Sequence, residues 1–138
     1  MKIKDILQNK GDDVVSLVGS TVASKTPLIL SQQLIGAVVV VDSDGTFIGV
    51  LSERDISRGL GKHAQKVSGM CIGDLMTGDV ITCDLDWNAS VALEMMRAHN
   101  IRHLPVLDDK GEIFGIVSMR DMAAMGVSDI GWAIQQAS

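Results

Sequence analysis

At 138 residues the chain has about the length of one domain, and an apolar fraction of 46% is enough to build a hydrophobic core. A net charge of −5, no Lys/Arg cluster longer than two and only four aromatic residues argue against a nucleic-acid surface, which needs cationic patches or stacking platforms. No apolar run approaches the roughly 20 residues that cross a bilayer, and residues 1–5 lack the apolar core of a signal peptide. The expectation is a cytoplasmic protein with neither nucleic-acid nor membrane partners.

In chain order, residues 3–8 make a short helix or turn with Ile3, Ile6 and Leu7 on its apolar side, and residues 9–13 a polar loop. Residues 14–18 are short, apolar and β-branched, hence extended. A helix follows to about Leu34, and two starts are open. Ser20 or Thr21 can cap it, or it begins near Thr26 with Pro27 at its first position, where a missing N–H costs nothing. Residues 35–41 form the strongest strand signal, an unbroken apolar run suited to burial on both faces. Asp42, Ser43, Asp44 and Gly45 turn the chain into a second strand ending at Ser52, and a helix starts at Glu53. A polar, Gly-punctuated connector follows, taken as residues 63–71.

The plan then repeats. Ile72-Gly73-Asp74-Leu75-Met76 parallels Ile3-Lys4-Asp5-Ile6-Leu7, and residues 80–83 parallel 14–17. The offset falls from 69 to 66 between these pairs, so the first copy carries three extra residues near Gln8 to Asp12. Asp86 is the expected cap of the second copy's first helix, with Val91, Met95 and Ala98 along one apolar face. Residues 101–106 repeat 35–40, and Gly49-Val50-Leu51-Ser52-Glu53-Arg54-Asp55 recurs as Gly115-Ile116-Val117-Ser118-Met119-Arg120-Asp121. The organisation read from this is a first repeat over 1–62, the connector, a second repeat over 72–125, and a tail over 126–138 in which Ile130, Ala133 and Ile134 suggest a short helix. A half of about 60 residues buries too little surface to be comfortable alone. Two β-α-β-β-α halves about a pseudo-twofold axis, sharing a core, predict an α/β sandwich with two related clefts.

The repeated Gly-h-h-Ser-x-Arg-Asp pattern, with h apolar, is a strand end feeding a helix N-terminus. Unpaired backbone N–H groups and the helix dipole there welcome an anion. Ser52 and Ser118 can donate to a phosphate, Arg54 and Arg120 offer forked cationic donors, and Asp55 and Asp121 accept from the paired hydroxyls of a ribose. The same spacing is also that of a capping box, which uses Ser and Asp for the helix itself. Both readings stand at this level. Cys71 and Cys83 have no metal spacing, nor do His63, His99 and His103; no GxGxxG, P-loop or acyl-transfer constellation is present.

Carried by Asp42 through Ile56, by His103-Leu104-Pro105-Val106-Leu107-Asp108 and by Gly115 through Met122, the repeat resembles the cystathionine-β-synthase (CBS) domain. The chain is similar to one tandem CBS pair, or Bateman module, over residues 3 to about 125. The resemblance implies a regulatory, non-catalytic module that binds an adenosyl ligand between its repeats: AMP first, with ADP, ATP, NAD(H) or S-adenosylmethionine as alternatives. It implies that Asp55 and Asp121 hold ribose, that Ser52 and Ser118 reach phosphate, and that Ser16, Leu17, Thr82, Cys83, Ala37, Val38, His103, Leu104 and Pro105 surround the adenine. It also implies a homodimer formed through helices and a regulated partner protein. The copies differ: Arg102, His103 and Pro105 of the second stand where the first has Gly36, Ala37 and Val39. The second is therefore expected to be the stronger phosphate site, with Arg102 and Arg120 near it. The rival readings are a structural docking module that binds no nucleotide, a nucleotide-handling enzyme, and regulation through the two thiols.

Overall fold

The computed structural model describes residues 1–10 and 14–127. The expected loop over 9–13 is corrected at its start, because the first helix runs on through Asn9 and Lys10; residues 11–13 lie outside the described residues, as does the expected tail helix. The elements run α1 (Ile3–Lys10), β1 (Ser16–Val18), α2 (Thr26–Gln33), β2 (Ala37–Val41), β3 (Phe47–Ser52), α3 (Glu53–His63), α4 (Ile72–Leu75), β4 (Cys83–Asp84), α5 (Ala89–Ala98), β5 (His103–Leu107), β6 (Ile113–Ser118) and α6 (Met119–Ala124). Short 3-10 helices cover Ala23–Lys25 and Ala64–Gly69.

Two compact units result, and they do not follow the sequence repeats. One is Val14–Val80; the other joins the described residues of Met1–Asp13 to those from Ile81 onward. The opening helix of each repeat is exchanged. In one unit Ile3 N–H donates to Trp87 O (3.0 Å), Lys4 N–H to Leu85 O (3.0 Å), and Ala89 N–H to Met1 O (2.8 Å). In the other, Ile72 N–H donates to Thr21 O (2.8 Å), Gly73 N–H to Gly19 O (2.9 Å), and Ala23 N–H to Met70 O (2.8 Å). The three bonds correspond one to one under the two sequence offsets.

Each unit holds a three-stranded sheet, β1-β2-β3 or β4-β5-β6, with a parallel first pair and an antiparallel second pair. Registers repeat as well: Ala37 pairs with Ser52 as His103 pairs with Ser118, and a bulge falls between Val40 and Val41 as between Val106 and Leu107. The β2–β3 turn is closed by Gly45 N–H to Asp42 O (3.0 Å), with Gly45 at φ +84°, and Gly111 repeats it at φ +77°. Each unit also has its own cluster of buried apolar residues. One is built on Ala23, Leu30, Val38, Val40, Leu51, Val67 and Ile72. The other gathers Ile3, Ile6 and Leu7 from α1 around Leu93, Met96, Leu104, Val117 and Met122, among others.

Of the two starts open for α2, the structure takes Thr26 with Pro27 in its first turn, and neither Ser20 nor Thr21 caps it. Two local expectations are corrected. Asn88 rather than Asp86 caps α5: its side chain accepts from Ser90 N–H (3.0 Å), while Asp86 pairs with Lys4 Nζ at 3.3 Å. The buried face of α5 is Ala89, Ala92, Leu93 and Met96, whereas Val91 is 43% exposed. Both faces are apolar at helical spacing, and the sheet selects the one that carries the larger Leu and Met.

Candidate functional site

The two motif copies occupy the same place in the two units, at the C-terminal end of β3 or β6 where the chain turns into α3 or α6. Both form a complete capping box. Asp55 N–H donates to Ser52 Oγ (3.2 Å) and Ser52 N–H to Asp55 Oδ2 (2.8 Å); Asp121 N–H donates to Ser118 Oγ (3.0 Å) and Ser118 N–H to Asp121 Oδ2 (2.8 Å). The first helical amide is engaged too, Glu53 N–H with Gly36 O (3.0 Å) and Met119 N–H with Arg102 O (2.9 Å). The expectation of unpaired amides is thus corrected at the first and third helical positions of both copies. The antiparallel neighbour strand and the Ser side chain satisfy them, so little of the helix end is left for an anion.

Beyond the cap the copies diverge. Asp55 is only 4% exposed and accepts four bonds. Oδ2 takes Ser52 N–H and Ser52 Oγ–H (3.0 Å), and Oδ1 takes Thr77 Oγ1–H (2.9 Å) and the Arg58 guanidinium (3.3 Å). Asp121 is half-buried. Beside it, His103 lies directly across the β5–β6 pair from Ser118, within side-chain reach on the same face, whereas buried Ala37 takes that place opposite Ser52. Arg102 and Arg120 are exposed at this end of the second sheet, as Arg54 is at the first.

The residues expected around an adenine fall into two groups. Val38, Leu104 and Cys83 have 0%, 0% and 2% exposure and belong to the cores, and Ala37 and Pro105 are buried as well. Their side chains are packing groups, which leaves only their backbone to meet a ligand. Ser16, Leu17 and Thr82 keep partial or full exposure at the edge strands. Burial pushes the Cys83 thiol up to about 12, with the charge of Asp84 adding to the shift. Both cysteines are free thiols. Among the described residues, no three His, Cys, Asp or Glu side chains converge on a metal position, and no helix is long and apolar enough to cross a membrane. A groove of about 310 Å³ runs between α2 and the start of α3, lined by Pro27, Leu30, Ser31, Glu53 and Ile56. None of the residues nominated from sequence lines it. Sequence reasoning missed Thr77 altogether; its only signal was a hydroxyl just after the α4 segment.

Two copies of one β-α-β-β-α unit, each ending its last strand in a Ser-x-x-Asp cap, define a tandem-repeat α/β module. The chain belongs to the CBS domain family, whose model matches residues 3–62 and 72–126. Among solved structures it is similar to the CBS-domain protein ATU1752 of Agrobacterium tumefaciens (29% identity, TM-score 0.87, covering 92% of this chain and 100% of that one). It is also similar to the CBS domain protein PAE2072 of Pyrobaculum aerophilum, complexed with AMP (27%, TM-score 0.78, 88% and 90%). A third is the CBS domain pair of protein MJ0100, in complex with 5′-methylthioadenosine and S-adenosyl-L-methionine (25%, TM-score 0.79, 91% and 95%). Curated relatives include protein RP505 of Rickettsia prowazekii, 30% identical over 92% of this chain, and an inosine-5′-monophosphate dehydrogenase of Methanocaldococcus jannaschii, 29% identical over 87%. This chain spans 38% and 21% of their respective lengths.

Proposed function

We propose that this protein is a ligand-sensing CBS pair that binds an adenosyl compound, AMP first, and signals by a change of conformation. The observation that carries the reading is the duplicated Ser-x-x-Asp strand end. In the second copy it gathers a half-buried Asp121, Ser118, His103 and two exposed arginines at one end of a sheet. A carboxylate accepts the hydroxyl pair of a ribose, and arginines beside it suit a phosphate. Two similar structures hold AMP, or methylthioadenosine with S-adenosylmethionine, which supports the ligand class. ADP, ATP and NAD(H) share the adenosyl moiety and are ranked by the same test. Signalling follows from differential affinity: a ligand shifts a conformational equilibrium only as far as it prefers one state. No catalytic role is assigned to the module; it acts as a homodimer on a regulated protein, in the cytoplasm, where free thiols such as Cys71 and Cys83 stay reduced.

The test is the melting temperature of the purified protein against AMP, ADP, ATP, NAD, NADH and S-adenosylmethionine. A ligand at 100 times its Kd stabilises the folded state by about 2.7 kcal/mol. That corresponds to a rise of roughly 5–10 °C for a chain of this size. A rise for one ligand, abolished in Asp121→Ala, is the expected result. No rise for any of them, with a stable dimer in solution, would instead identify a docking module that binds no nucleotide.

A further inference from the structure

The two copies of the repeat treat the face formed by their helix pair differently. On α2 and α3, Leu28, Leu34 and Leu60 are each more than half exposed, a concentration of apolar surface that marks a contact region. The aligned positions of the second copy are Glu94, Asn100 and Gly126. The duplicated fold therefore accepts non-apolar residues at all three places, and packing within the unit does not require the leucines. The groove of about 310 Å³ between α2 and α3 belongs to the same face. Pro27, Leu30 and Ser31 line it from α2, and Glu53 and Ile56 from α3. Leu34 follows Pro27 and Leu30 at i, i+3, i+7 spacing, and Leu60 follows Glu53 and Ile56 in the same way, so both continue the lining rows by one turn. Leu28 stands three residues before Ser31 on α2. The face also carries one anion and one cation, Glu53 in the groove and Lys25 at the N-cap of α2. Both are exposed, and among the described residues neither forms an ion pair within its own chain. The second copy has Val91 and Met119 at these positions, so the leucines and the two charges occur together in one copy only.

We infer that the α2–α3 face of the Val14–Val80 unit binds the same face of a second copy of this chain, and that the matching face of the other unit takes no part in the contact. The inference rests on the homodimer proposed above and names the surface that forms it. The face is self-complementary, as an isologous contact requires. It holds a groove together with protruding leucines that can fill one, so a two-fold axis sets the leucines of each copy against the groove of the other. The same axis gives Glu53 of each copy the Lys25 of the second copy, pairing two opposite charges that the single chain leaves apart. A head-to-tail contact with the other unit would instead set leucines against Glu94 and Asn100, and it would not be self-complementary.

The test is sedimentation equilibrium of the full chain and its variants. Wild type is expected to dimerise. Leu28→Glu installs the residue type that the second copy carries at this exposed place. It is expected to weaken dimerisation about a hundredfold, because a two-fold contact loses the side chain twice at about tenfold each. Leu60→Gln, which keeps a good helix former, reads the same contact should Leu28→Glu fold poorly. Lys25→Glu and Glu53→Lys are each expected to weaken dimerisation about tenfold, and the double exchange to return Kd to within about threefold of wild type. Val91→Glu, at the exposed site of the other unit that matches Lys25, is expected to leave Kd within about twofold. A dimer that neither Leu28→Glu nor Leu60→Gln weakens would overturn the face while leaving the homodimer in place. A loss in Val91→Glu equal to that in Leu28→Glu would overturn the restriction to one unit, and a double exchange no better than the single ones would overturn the pairing of Glu53 with Lys25. A wild type that stays monomeric at every concentration would overturn the homodimer itself, and with it the second copy as the occupant of the groove.

Discussion

Ser52 and Ser118 show how one pattern serves two readings. Each hydroxyl accepts from the amide three residues on, and each aspartate returns the bond, so the capping box is real in both copies. A carboxylate keeps further acceptor capacity beyond a cap, and only its surroundings decide whether that capacity faces a ligand. Those surroundings come from residues distant in sequence, Thr77 for Asp55 and His103 beside Ser118. The sequence therefore shows the same box twice and ranks the copies only by the Arg102, His103 and Pro105 that the first copy lacks. The cysteines likewise are indistinguishable in sequence. Cys83 lies in a core with its thiol pushed up to about 12, whereas Cys71 is half-buried. In native protein, Cys71 should react first with a thiol reagent and Cys83 only on unfolding; equal rates would contradict the burial. The raised value also sets a pH window. The folded state keeps a proton that the unfolded state loses above about 9.0, so this contribution is full below that pH and is lost as pH climbs towards about 12. Denaturant midpoints of wild type should fall more steeply above pH 9.0 than those of Cys83→Ala.

Helix ends were legible where the side chain itself does the capping, and less so elsewhere. α3 and α6 begin at the expected serines because the box is local. α2 begins at Thr26, fixed by a proline whose φ suits a first turn. Its other end is strained: Leu34 caps it in the left-handed region at φ +56° with its side chain 84% exposed, where the second copy has Asn100 at φ +52°. A left-handed conformation costs an L-residue with a Cβ roughly 1–2 kcal/mol, and glycine escapes this. Leu34→Gly should therefore raise the Tm by about 3 °C in a monomer, taking about 1 kcal/mol of relief. An unchanged or lower Tm would show that Leu34 packs against another chain, which would give the expected homodimer a contact point.

The units of the molecule are not the units of the sequence. Repeats end where similarity ends, but α1 packs against β6 and α6, whose own repeat starts at α4. Ile3, Ile6 and Leu7 are 0%, 1% and 3% exposed in a core whose other members begin at Cys83. Ile6→Ala, a buried truncation costing about 2–5 kcal/mol, should thus loosen the distant half. Amide hydrogen exchange is expected to speed up in β5 and β6 and to stay slow in β2 and β3. The opposite pattern would place α1 with its sequence neighbours.

The sequence by itself determined the duplicated α/β plan, the strand-to-helix junctions and the residues at them. These depend on local periodicity, turn chemistry and an internal repeat, all carried by neighbours in the chain. Tertiary structure alone decided which face of α5 is buried, which core receives α1 and α4, and which aspartate the Thr77 hydroxyl reaches. Each of those is a choice between partners of nearly equal local merit, and it is settled by contacts such as Thr77 to Asp55, whose residues meet only after the chain has folded.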